Sequence, residues 1–263
     1  MFAFKQAVAT RCLAMPIRKA ITAAAKMQAD GIQLDVRHEL NARDLTETGR
    51  RQLLHSIGQH NLKLASTFLP TRSALYDSAN LDQRVSAIRG AMEFTRQLGT
   101  DVLTLSAGPI PEADSKDYET LVEVLTELAT HGNHVGTTLC LRSGSSNPDE
   151  LLNLLHGIDT GPLGIDFDPS AAIAAGREAQ SDYSVLHKLV RHVRATDSAV
   201  AADNSSIEVP IGQGRVPWLE LTVMLGEGKF AGWMSVERIT GSRKADDIQN
   251  GIEFLKSQLP QLP

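Results

Sequence analysis

Cysteine is scarce in this 263-residue chain, and the two present, Cys12 and Cys140, stand far apart in apolar runs with no C-x-x-C pair. The pattern reads as two buried, reduced thiols of a cytoplasmic protein rather than a disulfide framework. Long apolar runs are missing too. None approaches the roughly 18 residues that a membrane helix needs. The segment Met1 to Met15 interrupts its one apolar stretch with Lys5 and Arg11. It therefore lacks the apolar core of a secretory leader and reads as a first strand. A basic excess is also absent: 26 Lys and Arg stand against 31 Asp and Glu, a formal net charge of -5. Neither a nucleic-acid nor a membrane partner is expected. Low-complexity segments and linkers are lacking as well, so residues 1–263 are expected to form one domain large enough to be stable without staples.

What the chain does have is alternation. Strand-like runs fall near 5–11, 31–36, 62–69, 101–107, 136–142, 162–168, 189–195 and 231–237. Helical patterns lie between and after them, near 16–29, 44–59, 80–98, 115–131, 148–156, 170–187 (broken at Gly176), 217–227 and 244–258. Strands separated by helices imply parallel pairing with crossovers, and eight such units predict a closed α/β barrel, a single parallel eight-stranded (β/α)8 TIM barrel. The punctuation is consistent with these boundaries. Asn80 is expected to cap the helix containing Arg84, Ile88 and Met92, and Gly99 to end it. Pro148 behind Asn147 reads as a first-turn proline after a cap. Gly31, Gly132 and Gly161 are expected between a helix and the next strand. The longest irregular stretch, Asp197 to Pro217, follows the seventh strand, where a barrel places a functional loop.

Chemistry in such a barrel belongs at the C-terminal ends of the strands. That rule selects Arg11, Gln33, Asp35, Arg37, Ser106, Arg142, Asp166, Asp168, Arg194, Asp197, Glu237 and Arg238, a set dominated by carboxylates and guanidiniums. Asp35 and Arg37 are the best second-strand candidates for substrate contacts. His192 reads either as a ligand contact or as a hydrogen-bonded core residue. Gly212 and Gly214 in IGQGR read as turn glycines, since the dinucleotide fingerprint is absent, while Arg215 is placed to reach an anionic ligand. The spacing of His131 and His134 suits a metal on a helix, but Gly132 is expected to interrupt it at the wrong end of the barrel.

Several segments resemble the xylose-isomerase-like barrels, a family that includes sugar and sugar-phosphate isomerases and epimerases and the related endonuclease IV type of DNA-repair enzyme. VRHVRATDS (190–198) is similar to its strand-seven pattern H-x-H-x-K-D. VPIGQGRVPWLEL (209–221) is similar to its P-x-G-x-G-x-V-D-W loop, and FAGWMSVERI (230–239) to its final strand ending in V-E. Upstream, ADGIQLDVR (29–37) resembles G-x-D-G-V-E-L, and RVSAIRGAMEFTRQLGTDVLTLSAG (84–108) resembles the segment from helix three to strand four. The order and spacing of these motifs cover nearly the whole chain.

The resemblance implies a metal centre made by a Glu, an Asp, a His and a Glu ending strands five to eight. Those positions hold Arg142, Asp168, Arg194 and Glu237 here. A further family His is replaced by Ala171, the strand-two Glu by Gln33 and the Lys of H-x-K-D by Thr196. Arginine stays protonated and offers only donors, so it cannot ligate a cation. No metal and no cofactor are therefore expected. Two guanidiniums against two carboxylates sum to zero, which predicts a self-neutralised site with Arg142 and Arg194 paired to Glu237 and Asp168. The expected activity is that of an isomerase or epimerase acting on a small carbohydrate or hydroxy-carbonyl compound. Glu237 or Asp168 would serve as base, with Arg142, Arg194, His192, Asp35, Arg37, Gln33 and Arg215 contacting the substrate. The alternative is a ligand-binding pseudoenzyme with a salt-bridged rim. A DNA-repair nuclease fits poorly, for want of a histidine-rich metal cluster. A homodimer through outer helices is a further expectation from the resemblance.

Overall fold

A computed structural model describes residues 4–144, 146–201 and 205–258. Eight parallel strands close into a barrel: β1 (Lys5–Ala9), β2 (Gly31–Asp35), β3 (Lys63–Phe68), β4 (Val102–Leu105), β5 (Thr138–Arg142), β6 (Leu163–Phe167), β7 (Val190–Ala195) and β10 (Trp233–Val236). They run round the barrel in sequence order, and β1 pairs with both β2 and β10 to complete the ring. Runs such as GIQLD in β2 are buried at every position because one face points into the barrel and the other meets the helices. All eight strands fall inside the sequence-predicted segments.

The outer layer contains α1 (Ile17–Lys26), α2 (Glu47–Gln59), α3 (Leu81–Gln97), α4 (Lys116–Val135), α5 (Pro148–His156), α6 (Pro169–Ala174), α7 (Ala179–Leu186), α8 (Trp218–Glu227) and α9 (Lys244–Ser257). Gly176, at φ +75°, divides the sixth helical segment into α6 and α7. In α3 the stripe Val85, Ile88, Met92 and Thr95 recurs at helical spacing and is buried against the barrel. Burying a side chain such as Ile88 or Met92 contributes about 1.5–3 kcal/mol. Among the described residues no helix is long and apolar enough to cross a membrane.

Three local expectations need correction. Asn80 sits in the left-handed region at φ 57° and makes no side-chain cap to α3; it turns the chain into the helix by its backbone. Gly132 lies inside α4, not after it, and Gly136 in the left-handed region is the true stop. A Cβ on Gly132 would stand 2.5 Å from the Thr137 carbonyl, so glycine there serves close packing rather than a turn. Gly31 opens β2 itself. Asn147 and Pro148 behave as expected, the Asn147 side chain accepting from the Asp149 N–H.

The stretch after β7 is a hairpin, β8 (Asp197–Val200) with β9 (Ser206–Val209), antiparallel and outside the barrel sheet. Buried Asp197 organises its return. Its carboxylate accepts from the backbone N–H groups of Ser198, Gly212, Gly214 and Val216. Gly214 approaches so closely that a Cβ would meet Asp197 Oδ1 at 2.1 Å. Glu208 then ties the hairpin to the loop after β10, accepting from the Ile239 and Thr240 N–H groups.

Candidate active site

Two polar layers fill the C-terminal half of the barrel. The deeper one is buried and made by β2, β3, β4, β6, β7 and β10. His192 Nδ1 lies 2.6 Å from Asp166 Oδ1, and its Nε2 lies 2.8 Å from Ser235 Oγ. The Gln33 amide donates to Ser66 Oγ at 2.9 Å and faces Thr104 Oγ1 and His192 Nε2, each at 3.4 Å. A buried polar residue with its bonds made inside the protein is stable there and rigidifies its neighbours. Of the two readings of His192, the hydrogen-bonded core residue matches its surroundings.

The upper layer is ionic. Asp168 ends β6 and caps α6, its Oδ1 accepting from the Ala171 N–H, while Pro169 fills the first helical position. Its Oδ2 accepts from Arg142 Nε at 2.8 Å, and lies 2.5 Å from Arg142 Nη2 and 3.6 Å from Arg194 Nε. Glu237, just past β10, has Arg194 Nη2 2.7 Å from its Oε2. Its Oε1 accepts from Arg11, a residue of the 3-10 turn (Thr10–Leu13) that follows β1. Arg11 also donates to Gln33 Oε1 at 2.7 Å and lies 4.0 Å over the Phe68 ring. The contact of Arg194 with Glu237 is an ion pair without hydrogen-bond alignment. Arg194 Nε and Glu237 Oε2 are thus buried without a hydrogen-bond partner among the described residues.

This geometry brings the four sequence-predicted residues Arg142, Asp168, Arg194 and Glu237 into one cluster. It also corrects the charge balance. Arg11 joins as a third guanidinium, so the upper layer holds three positive charges against two negative. Asp166, the next carboxylate, is engaged one layer down by His192. Burial would raise the Glu237 carboxyl, but Arg11 and Arg194 outweigh it and hold the group below the usual carboxylate range. Burial opposes the charge on Arg194 as well, and Glu237, Asp168 and Asp166 more than restore it, so its guanidinium binds its proton more firmly than usual.

The other predicted residues take different places. Gln33 and His192 lie beneath the cluster. Asp35 spends its carboxylate on the loop after β2, accepting from the Arg37 and His38 N–H groups, and lies 3.0 Å from His38 Nδ1. Arg37 lines a groove against α3 with Gln83 and Ala87. Arg215 is exposed beyond the hairpin, its backbone N–H donating to Ser198. Sequence reasoning assigned no role in the site to Arg11 or Asp166, though both were visible as strand ends. Glu39 carried no signal at all. Its Oε2 accepts from Thr10 Oγ1 at 2.7 Å and from the Asp35 N–H at 2.9 Å, and burial raises its carboxyl above the usual range.

The four positions that the resemblance gives to a metal do not fit a divalent cation. Arginine nitrogens occupy two of them, and each carboxylate oxygen of Asp168 and Glu237 already faces a donor or a guanidinium. Among the described residues no group of three or more His, Cys, Asp or Glu is placed to hold a metal ion.

Known proteins share this architecture. A xylose isomerase domain protein from Planctomyces limnophilus superposes with TM-score 0.82 at 21% identity, over 90% of this chain and 91% of that one. A D-psicose 3-epimerase from Clostridium cellulolyticum does so with TM-score 0.77 at 13% identity, over 97% and 99%. An uncharacterized protein of Methanocaldococcus jannaschii is 27% identical over 192 residues, 66% of this chain and 62% of that relative's length. The family model described as xylose isomerase-like TIM barrel matches residues 21–258, and the chain belongs to that family.

Proposed function

We propose that the upper ionic layer binds a small anionic hydroxy-carbonyl or sugar-like compound and that the protein is an isomerase- or epimerase-like enzyme working there without a divalent ion. The observation that carries this reading is the surplus guanidinium at the mouth, together with a buried donor and a buried acceptor left open on Arg194 and Glu237. Guanidinium forks suit carboxylate and phosphate oxygens. Arg142, with 35% of its side chain exposed, is the one most open to an incoming group. Glu237 or Asp168 would take the proton from the carbon beside the carbonyl and return it to that carbon or its neighbour. Glu237 is a weak base when two guanidiniums hold its charge. The same guanidiniums compensate by stabilising the negative charge that develops on the substrate oxygen. The sugar epimerases and epimerase-like protein among its structural neighbours support the carbohydrate class. Two buried free thiols suit a reducing compartment, and the cytoplasm is the proposed location.

A second reading has its own support: three of the four carboxylate oxygens in the cluster accept hydrogen bonds and the fourth faces Arg194, as expected of a site that binds without turnover. A thermal-shift screen of sugars, sugar phosphates and hydroxy acids, followed by proton exchange into bound compounds in deuterated water, separates the two. Exchange lost in Glu237→Gln or Asp168→Asn establishes catalysis, and binding without exchange establishes the pseudoenzyme. Binding by none of these compounds refutes the substrate class. Stoichiometric zinc, manganese or cobalt held at the cluster refutes the metal-free reading.

A further inference from the structure

The opposite mouth of the barrel carries a charge pattern that the rim does not explain. A basin of about 1100 Å³ opens among the strand beginnings. Lys5 starts β1, Lys63 starts β3, Arg191 follows the first residue of β7, and Arg96, Lys188 and Lys229 come from the ends of α3, α7 and α8 and the turns after them. Among the described residues Asp101 is the only carboxylate in its lining. The basin therefore has a surplus of five positive charges in a chain whose net charge is -5.

Helix C-termini gather at this mouth, and their partial negative charges, about half a unit each, favour cations placed within a turn of them. That accounts for Arg96, Lys188 and Lys229. It does not account for Lys5, Lys63 and Arg191, which lie on strands. Among the described residues none of the six cations has a carboxylate within 4.0 Å. Lys5 instead stands 5.4 Å over the half-buried Trp233 ring. Like charges ringed around a concavity repel one another, and a multivalent anion relieves several repulsions at once.

We propose that the N-terminal mouth of the barrel is a second binding site, for a small multivalent oligophosphate. The volume is that of a small-molecule pocket, and the cations form a ring around a basin rather than the extended stripe that a nucleic-acid backbone follows. This site lies at the other end of the strands from the ionic rim and does not depend on the function proposed there.

Titration calorimetry of the full chain with tripolyphosphate, ATP and orthophosphate tests it. Tripolyphosphate and ATP are expected to bind with similar affinity, weakening as salt is raised, and orthophosphate much less tightly. The pair Lys63→Glu and Lys188→Glu, both exposed, is expected to weaken tripolyphosphate at least about tenfold. If the Glu pair fails to fold, Lys63→Gln with Lys188→Gln decides the matter through the same loss at smaller size. Absence of binding overturns the proposal, and so does an equal loss in the exterior pair Arg51→Glu with Arg243→Glu. Tighter binding of a duplex oligonucleotide than of tripolyphosphate overturns it as well.

Discussion

Glu237→Gln is the most informative single change in the cluster. The glutamine keeps the shape but removes one of two carboxylates facing three guanidiniums. Arg194, only 5% of its side chain exposed, is then left with Asp168 at 3.6 Å as its nearest counter-charge. Breaking a buried ion pair from one side costs about 3–5 kcal/mol. At about 2–4 °C per kcal/mol for a chain near this size, the expected fall in Tm is on the order of 10 °C. Arg194→Met is a sharper comparison because it strands nothing: Glu237 keeps Arg11 and Asp168 keeps Arg142. Replacing a buried charge with an apolar side chain while its partners stay paired is often near neutral. The expected order is therefore a large loss for Glu237→Gln, a small one for Arg194→Met, and partial recovery in the double variant. Thermal and urea unfolding of the four proteins measure it as a double-mutant cycle. If Arg194→Met is the more damaging variant, or Glu237→Gln matches the wild type, the charge count given for the rim is wrong.

The pH dependence follows from two carboxyls with opposite shifts. Glu237 is lowered in the folded state, so its contribution is present above the unfolded carboxylate value, about 4.3, and is lost as pH falls through the folded value. Glu39 is raised, so its contribution is present below the unfolded value and is lost as pH rises through the folded one. Glu39→Gln should thus gain stability relative to the wild type as pH rises above the unfolded carboxylate value, which urea midpoints at a series of pH values will show. Burial lifts the Cys12 thiol to about 11 and Cys140 well above its ordinary value. Iodoacetamide at pH 8 should label neither thiol in the native protein and both after denaturation. Gly214→Ala, pushed against Asp197 and the Ser198 carbonyl, should cost about 1–3 kcal/mol, and protease sensitivity should rise at the hairpin.

The barrel was legible because each strand is a short apolar run and each helix has an apolar stripe, as in LGIDF and in the Val85, Ile88 and Met92 series. The β8–β9 hairpin was not, because the pattern of 197–217 is dominated by small and polar residues. Its pairing depends on one carboxylate collecting N–H groups up to 19 positions away. In the site, the four residues at the ends of β5, β6, β7 and β10 were among the strand ends that position selects, and the family resemblance singled them out. Arg11 was visible but its role was not, since a 3-10 turn after β1 decides where it reaches. The local bonds of Asp35 were not legible either: a strand-end carboxylate is equally suited to holding its own loop, and the Arg37 and His38 N–H groups bond it. Glu39 sits in no periodic element, and only the folded loop brings it to Thr10.

The contact of Arg11 with Glu237 joins positions 226 apart, at the seam where β1 meets β10. During synthesis Arg11 leaves the ribosome long before its carboxylate exists. The ring cannot shut, and the cluster cannot reach its final balance of charge, until the last strand arrives. A chain cut short before β10 would carry an open sheet edge at β1 and three arginines facing only Asp168. Cellular quality control could therefore recognise an unfinished copy by both its unpaired strand and its uncompensated charge.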